Sequence, residues 1–144
     1  MTATHGYYLE DLEVGQSATI SKVVTEQDII TFAEVTGDTN PVHLDAEYAA
    51  GTMFKERIAH GMLNAGLISA VLGTKLPGPG AIYVDQNLKF RAPVKIGDEV
   101  VTTATVEEIN ERRRRVKLST VCSVNDKPVT IGEATLMVNS REAG

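Results

Sequence analysis

The sequence predicts an α+β fold, with helices in the first half of the chain and an antiparallel sheet in the second. Residues 61–72 are apolar on nearly every side of a helix, as expected of a helix that other elements enclose. Four later segments alternate apolar and polar residues with the period of a strand. The 144 residues predict one domain, spanning 1–144. A domain near this size buries about 68–70% of its unfolded surface, so the core needs no metal or disulfide.

Capping residues mark the elements of the first half. An irregular arm over residues 7–15 precedes a first strand, residues 17–24, rich in β-branched residues. Thr25 is a candidate N-cap with Asp28 three residues later, a variant of the capping box that predicts a helix over 26–36. Gly37 suits the position just past its end. Asp45 predicts one further helical turn, which ends at Ala50.

The second half is predicted to hold the apolar helix and four strands. The helix ends at Pro77-Gly78-Pro79-Gly80, and a turn at Gly97-Asp98 and a hairpin at residues 125–128 separate strands. We therefore expect an antiparallel meander of strands over residues 82–90, 100–109, 116–124 and 129–138. One long buried helix wrapped by a curved antiparallel sheet is the hot-dog arrangement.

Composition and charge argue against several classes of protein. The net charge of −5 and the pI near 5.2 disfavour nucleic acid as the main partner, because such binding needs a basic face. Cys122 is the only cysteine, so no internal disulfide can form and a reducing compartment is expected. The first residues lack the basic and apolar regions of a secretory signal, and residues 58–72 are too short for a membrane span. We expect a cytoplasmic protein with no membrane partner.

Asp38 and His43 are the strongest candidates for catalysis. They lie five residues apart, a separation of roughly 17 Å in an extended chain. The Asn40-Pro41 step predicts a turn, because proline fixes its own φ and keeps the preceding residue out of the helical region. A turn can bring carboxylate and imidazole to one water molecule, as general acid–base catalysis requires. From the residue alone, Asp38 could equally be a turn residue that bonds nearby backbone.

A second set of candidates lies on the apolar helix. Gly61 would begin the helix, where free N–H groups favour negative charge, although close packing could equally require a small residue. Ser69 would either face a ligand pocket or bond the carbonyl four residues back. His60 is expected to be a satisfied, partly buried histidine that shapes the helix start. No metal is expected, since the three histidines match no familiar metal-site spacing.

The segments Gly37–Asp45, with the sequence GDTNPVHLD, and Ile58–Met62, with the sequence IAHGM, resemble the R-specific enoyl-CoA hydratase (MaoC-like dehydratase) family. The similarity extends through residues 76–78, 90–94 and 97–100, and so covers most of the chain. One departure is Arg57, where many relatives have proline. The resemblance implies a hot-dog fold and reversible addition of water to a trans-2-enoyl thioester, giving the R-3-hydroxyacyl thioester without a cofactor.

The resemblance also implies roles for individual residues. It makes Asp38 and His43 the catalytic pair, with Asp38 the natural base for water and His43 the natural proton donor towards C2; the roles reverse in dehydration. It gives the Gly61 amide the oxyanion role. Asn40 is expected to shape the turn, by bonding backbone or holding His43, and Ser69 to support substrate binding.

Positive charge near the substrate would attract the phosphates of coenzyme A. Arg112–Arg115 form a cationic run, which usually means a solvated turn, and Lys89 and Arg91 are the other candidates. The sequence does not choose among them.

An open sheet edge invites pairing with a second copy, and the resemblance implies a homodimer, or a higher homo-oligomer, with sites near the interface. Coenzyme A is expected to carry the acyl group. With acyl carrier protein instead, the protein would be an (R)-3-hydroxyacyl-ACP dehydratase. An acyl-CoA thioesterase, which would release a free thiol, is less favoured. A non-catalytic acyl-thioester sensor would need a DNA-binding segment, for which no residues remain. The acyl chain length stays open.

Overall fold

The computed structural model describes residues 5–141. Helices precede most of the strands, and each predicted helix and strand forms within two residues of its expected bounds. The predicted α+β class is confirmed. No helix among residues 5–141 has the length and apolar character needed to cross a membrane. In chain order the elements are β1 (Ser17–Val23), α1 (Glu26–Thr36), α2 (Pro41–Leu44), α3 (Ala46–Ala50), α4 (Gly61–Thr74), β2 (Ile82–Phe90), β3 (Glu99–Asn110), β4 (Arg115–Val124) and β5 (Lys127–Met137).

The five strands form one antiparallel sheet with the order β1-β3-β4-β5-β2. β3, β4 and β5 follow one another as hairpins, and Asn125 and Asp126 turn the second hairpin with φ of 51° and 65°. β2 does not join β3 but pairs with β5 at the far edge. The predicted four-strand meander was therefore wrong for its first strand. Period-two alternation identifies a strand and its two faces, but it does not say which neighbour the strand pairs with.

α4 packs on the sheet and supplies the centre of the core. Its residues Ile68, Val71 and Leu72 are inaccessible to solvent and join one hydrophobic cluster with residues of β3 and β4. Every second residue is buried over residues 100–106 of β3 and 116–122 of β4, as the alternation predicted. Each such side chain contributes about 1.5–3 kcal/mol when it leaves water. A central helix packed on an antiparallel sheet is the predicted hot-dog fold.

One face of α4 is open within the single chain. Met62 is 56% exposed, and Gly66, Ser69 and Gly73, which follow at helical spacing, are exposed as well. The expected burial on all sides therefore holds for the sheet-facing side only. An apolar pattern shows that a face avoids water, but not whether the same chain covers it.

Capping fixes where α1 ends and thus where Asp38 begins. The predicted capping box is present, with Asp28 N–H donating to Thr25 Oγ1 at 3.1 Å and Thr25 N–H donating to the Asp28 carboxylate at 2.9 Å. At the other end Gly37 has a φ of 81°, which other residues adopt only with strain. The helix therefore stops immediately before the catalytic candidates.

Candidate active site

Residues 38–44 turn back on themselves through two side-chain caps. The Asp38 carboxylate accepts from Asn40 N–H at 3.3 Å, and Asn40 Oδ1 accepts from Val42 N–H at 3.1 Å. Asn40 is thus the N-cap of α2, with Pro41 as its first residue. Asn40 was expected either to bond backbone or to hold His43, and in the structure its side chain bonds backbone. The sequence analysis predicted a turn here but not the short helix that carries His43.

His43 is 8% exposed, and its Nδ1 lies 2.7 Å from the carbonyl oxygen of Ile58. A carbonyl oxygen only accepts hydrogen bonds, so this pairing assigns the hydrogen to Nδ1. In the neutral ring Nε2 then carries a lone pair and can accept a proton. The surroundings of His43 therefore determine which of its nitrogens is available for chemistry.

The structure brings Asp38 and His43 together. A carboxylate oxygen of Asp38 and one ring nitrogen each of His43 and His60 lie within 4.8 Å of one another. Two acceptors that share one water molecule are about 4.5 Å apart. The spacing of Asp38 and His43 thus suits a water that donates one hydrogen to each and keeps a lone pair for a substrate carbon.

The same three side chains form a donor set of a kind that divalent cations use. In the resting hydrogen-bond pattern, one nitrogen of each histidine already donates to a backbone carbonyl. A cation would therefore have to use His43 Nε2 and His60 Nδ1 together with the Asp38 carboxylate.

Burial lowers the pKa of His43 below its ordinary value of 6.5, and the neighbouring His60 acts in the same direction. The hydrogen bond with Ile58 and the Asp38 carboxylate oppose this shift without cancelling it. His43 is therefore neutral at neutral pH, with Nε2 unprotonated.

We expect kcat/KM to decline on the acid side with an apparent pKa below 6.5, because protonation removes the lone pair of Nε2. The same shift affects folding: below the unfolded pKa, the unfolded chain takes up a proton that the folded chain resists. The contribution to stability is complete above that value and is lost as pH falls through the folded pKa. A pH–rate profile from about pH 5 to 8 measures the acid limb, and an apparent pKa at or above 6.5 would contradict the expectation.

Arg57 supports His43 from the side of the backbone. Its Nε donates to the carbonyl of His43 at 2.7 Å, and its guanidinium pairs with Glu26 at 2.7 Å. The Arg57 side chain is only 13% exposed, and its two hydrogen bonds connect α2 to the first turn of α1. The sequence analysis noted Arg57 only as a departure from the family pattern. No local signal could reveal partners 14 and 31 residues away.

His60 departs from the expectation of a satisfied histidine. It is 2% exposed, and its Nε2 donates to the main-chain carbonyl of Asp38 at 2.9 Å. Its Nδ1 is buried and has no hydrogen-bond partner in the described part of the chain. The ring stacks on His43, with centroids 3.8 Å apart. His60 is therefore part of the site rather than only of the helix start.

Gly61, the first residue of α4, lies where helical N–H groups have no intrahelical partner. It lines a cavity of about 360 Å³ together with residues that include Asn64, Phe90 and Arg91. A Cβ at Gly61 would lie 3.0 Å from the Phe90 ring, so close packing also requires glycine. Gly61 can therefore offer an N–H group to negative charge and also be the small residue that close packing requires.

We expect Gly61→Ala to lower kcat by about 10- to 100-fold, because the methyl group displaces the first turn of α4 from the Phe90 ring. Gly51→Ala is the control, since its added Cβ meets only the Tyr48 carbonyl oxygen, at an ordinary contact distance of 3.5 Å, and Gly51 lies outside the open face of α4. Steady-state hydration kinetics of both variants test the prediction. Equal kcat values for both would show that the position of the Gly61 amide is unimportant.

Asn64 is a residue of this region that the sequence analysis missed. It is 3% exposed, and its Nδ2 donates to Thr130 Oγ1 at 2.8 Å. Its Oδ1 has no hydrogen-bond partner among residues 5–141. The only sequence signal was a polar residue on an otherwise apolar helix.

The remaining candidates lie further away. Ser69 sits on the open face of α4, about 12 Å along the helix from Gly61, so the single chain does not bring it to the pair. The arginines 112–115 follow the C-terminal end of β3. The N-terminal end of β3, near the Ile58–Lys95 bridge, is about 36 Å away along the strand. Arg91, by contrast, lines the cavity beside Gly61.

Several known proteins are similar to this chain in sequence and in fold. The (R)-specific enoyl-CoA hydratase of Rhodospirillum rubrum is 56% identical over 94% of each chain. The 3-hydroxybutyryl-CoA dehydratase of Methylorubrum extorquens is 53% identical over 94% of this chain and 86% of its own length. The unliganded R-hydratase PhaJ1 of Pseudomonas aeruginosa superposes with a TM-score of 0.88 and 48% identity, covering 93% of this chain and 86% of that one. The family described as MaoC like domain matches residues 11–128, and the chain therefore belongs to the R-specific enoyl-CoA hydratase (MaoC-like dehydratase) family.

Proposed function

We propose that this protein is an R-specific enoyl-CoA hydratase, which adds water reversibly to a trans-2-enoyl-CoA and gives the R-3-hydroxyacyl-CoA. The observation that carries the proposal is the spacing of at most 4.8 Å between an Asp38 carboxylate oxygen and a ring nitrogen of His43. The Gly61 N–H at the start of α4 follows directly in the chain after His60, whose ring stacks on His43. Water, proton acceptors and an oxyanion donor are what the reaction requires.

In this proposal the Asp38 carboxylate and Nε2 of His43 both accept hydrogen bonds from the attacking water. As the water oxygen bonds to C3, one of its protons passes to the pair. Negative charge moves through C2 to the thioester oxygen, which the Gly61 N–H stabilises. The pair then delivers the proton to C2, so one water supplies both groups added and the enzyme is unchanged.

The hydrogen bond between His43 and Ile58 refines the expected roles. Because Nδ1 carries the hydrogen and burial keeps the ring neutral, His43 begins the hydration cycle as an acceptor. It can donate to C2 only after it has taken a proton from water. The two macroscopic protonation steps therefore belong to the pair rather than to either residue.

We place the coenzyme A phosphates near Arg91 rather than near the arginines 112–115. Arg91 lines the cavity beside Gly61, whereas the arginine run lies at the far end of β3 in the same chain. Coenzyme A is proposed over acyl carrier protein because relatives of 56% and 53% identity are named for CoA substrates, whereas two plant relatives named for acyl carrier protein are 37% and 36% identical.

We also propose a cytoplasmic homodimer. Exposed apolar residues on the edge strand β2 adjoin the open face of α4, and a second copy that pairs along this edge would cover both. The residues on β2 are Ile82, Tyr83 and Val84, and Met62 of α4 lies beside Tyr83 and Val84. Sedimentation equilibrium tests the assembly, and a monomer at the concentrations used in assays would refute it.

Incubation with enoyl-CoA substrates of increasing chain length tests the function. We expect the enoyl ultraviolet absorbance to fall without release of thiol, and chiral analysis to find the R product. Thiol release would indicate a thioesterase, and the S product would contradict the proposal. Turnover of the matching acyl-ACP but not of the CoA ester would indicate the ACP dehydratase instead.

A further inference from the structure

We infer that His60 is a positioning residue that holds three parts of the active site in register: the Asp38 main chain, the His43 ring and the Gly61 amide. The inference rests on the proposed hydratase function and deepens it. His60 touches the first two parts with its side chain and precedes the third in the chain. One rigid ring therefore links the turn after α1 with α2 and α4.

The first link joins His60 to Asp38. Nε2 donates to the Asp38 carbonyl at 2.9 Å, across 22 residues of sequence. Asp38 itself is exposed, and its other recorded hydrogen bonds, to Thr36 and Asn40, stay within its own turn. The bond from His60 thus connects that turn to the start of α4 and sets how far the Asp38 carboxylate stands from the helix.

The second link is the stack of His60 on His43. The centroids of the His43 and His60 rings are 3.8 Å apart, and their planes are inclined by 26°. The centroid of the Phe32 ring lies 4.7 Å from that of His60. The bond from His43 Nδ1 to Ile58 fixes one edge of the His43 ring. The His60 ring packs against the face of the His43 ring, and this contact determines the direction in which Nε2 of His43 points.

The third link is the position of His60 as N-cap of α4. An N-cap side chain usually bonds the first N–H groups of its own helix, but that of His60 makes no such bond. It donates to Asp38 instead and does not bond the N–H groups of Gly61 and Met62, which stay available to a substrate oxygen.

This arrangement is costly for the fold. The N-cap gives up its usual bond to the helix, and Nδ1 of His60 is buried without a partner among residues 5–141. A purely structural residue would not combine both features, because each opposes stability. A geometric role in catalysis explains why a histidine occupies this position.

Two variants separate the contributions. His60→Phe keeps an aromatic ring against His43 but removes the donor to Asp38 and the unpartnered Nδ1. We expect kcat for hydration to fall about 10- to 100-fold, with KM changed by less than about threefold and the Tm unchanged or higher. His60→Gln retains an N–H donor near Nε2 but lacks the ring that packs on His43, and we expect its kcat to lie about threefold or more above that of His60→Phe and below that of the wild type.

His5→Phe is the matched control, because His5 also stacks on an aromatic ring, that of Tyr8, but lies outside the site. We expect its kcat to equal that of the wild type. A wild-type kcat for His60→Phe, or a loss that only follows a lower Tm and is not rescued in His60→Gln, would overturn the inference while leaving the hydratase function intact. A wild-type protein that hydrates no enoyl-CoA would overturn the proposed function, and this inference with it.

Discussion

Asp38→Asn is expected to lower kcat for hydration by about a thousandfold or more and to leave the fold intact. The amide has nearly the shape of the carboxylate but cannot take a proton from water. Its Oδ1 can still accept from Asn40 N–H, so the turn before α2 is preserved. Asp38 is also exposed, and its substitution creates no buried cavity.

Loss of enoyl absorbance under saturating substrate measures this effect, with circular dichroism as the check on folding. Asp45→Asn is the matched control, because Asp45 caps α3 by accepting from two backbone N–H groups and asparagine caps equally well. A kcat for Asp38→Asn within a few fold of that of Asp45→Asn would remove the proposed mechanism.

His43→Ala is expected to lower kcat to a similar extent, about a thousandfold, because it removes the second acceptor of the attacking water. It also leaves the Ile58 carbonyl without its donor, and this change alone could disturb the local fold. His43→Asn avoids the problem, since its amide can still donate to Ile58 while nothing replaces Nε2.

A double variant makes the second prediction sharper. If Asp38 and His43 act on one water, Asp38→Asn combined with His43→Asn should be about as slow as the slower single variant. Single-turnover hydration rates of the four proteins provide the comparison. Rate losses that multiply would show that the two residues act on separate steps.

The elements whose determinants are local were predictable. Thr25, Asp28 and Gly37 lie within one turn of the helix ends that they cap, so the bounds of α1 follow from the chain itself. Asp38, Asn40 and Pro41 likewise predict a turn because each acts on backbone two residues away or less. The family motif then indicated Asp38 and His43 as the candidate catalytic pair, which composition alone would have left as an ordinary turn.

The features that depend on distant partners were not predictable. The pairing of β2 with β5 joins strands about 45 residues apart, and no repeat or turn signal encodes it. The roles of Arg57 and His60 rest on carbonyls 14 and 22 residues away. A backbone carbonyl has no sequence signature, because every residue carries one.

By itself the sequence determined the order of helices and strands, the bend between Asp38 and His43, and the family. Only the tertiary structure decided which nitrogen of His43 is free, what restrains the Asp38 turn, and which face of α4 stays open. The physical reason is the sequence distance over which each interaction acts. Capping and periodicity involve residues a few positions apart, whereas the tautomer of His43, the hydrogen bonds of Arg57 and the open face of α4 depend on contacts between residues far apart in sequence.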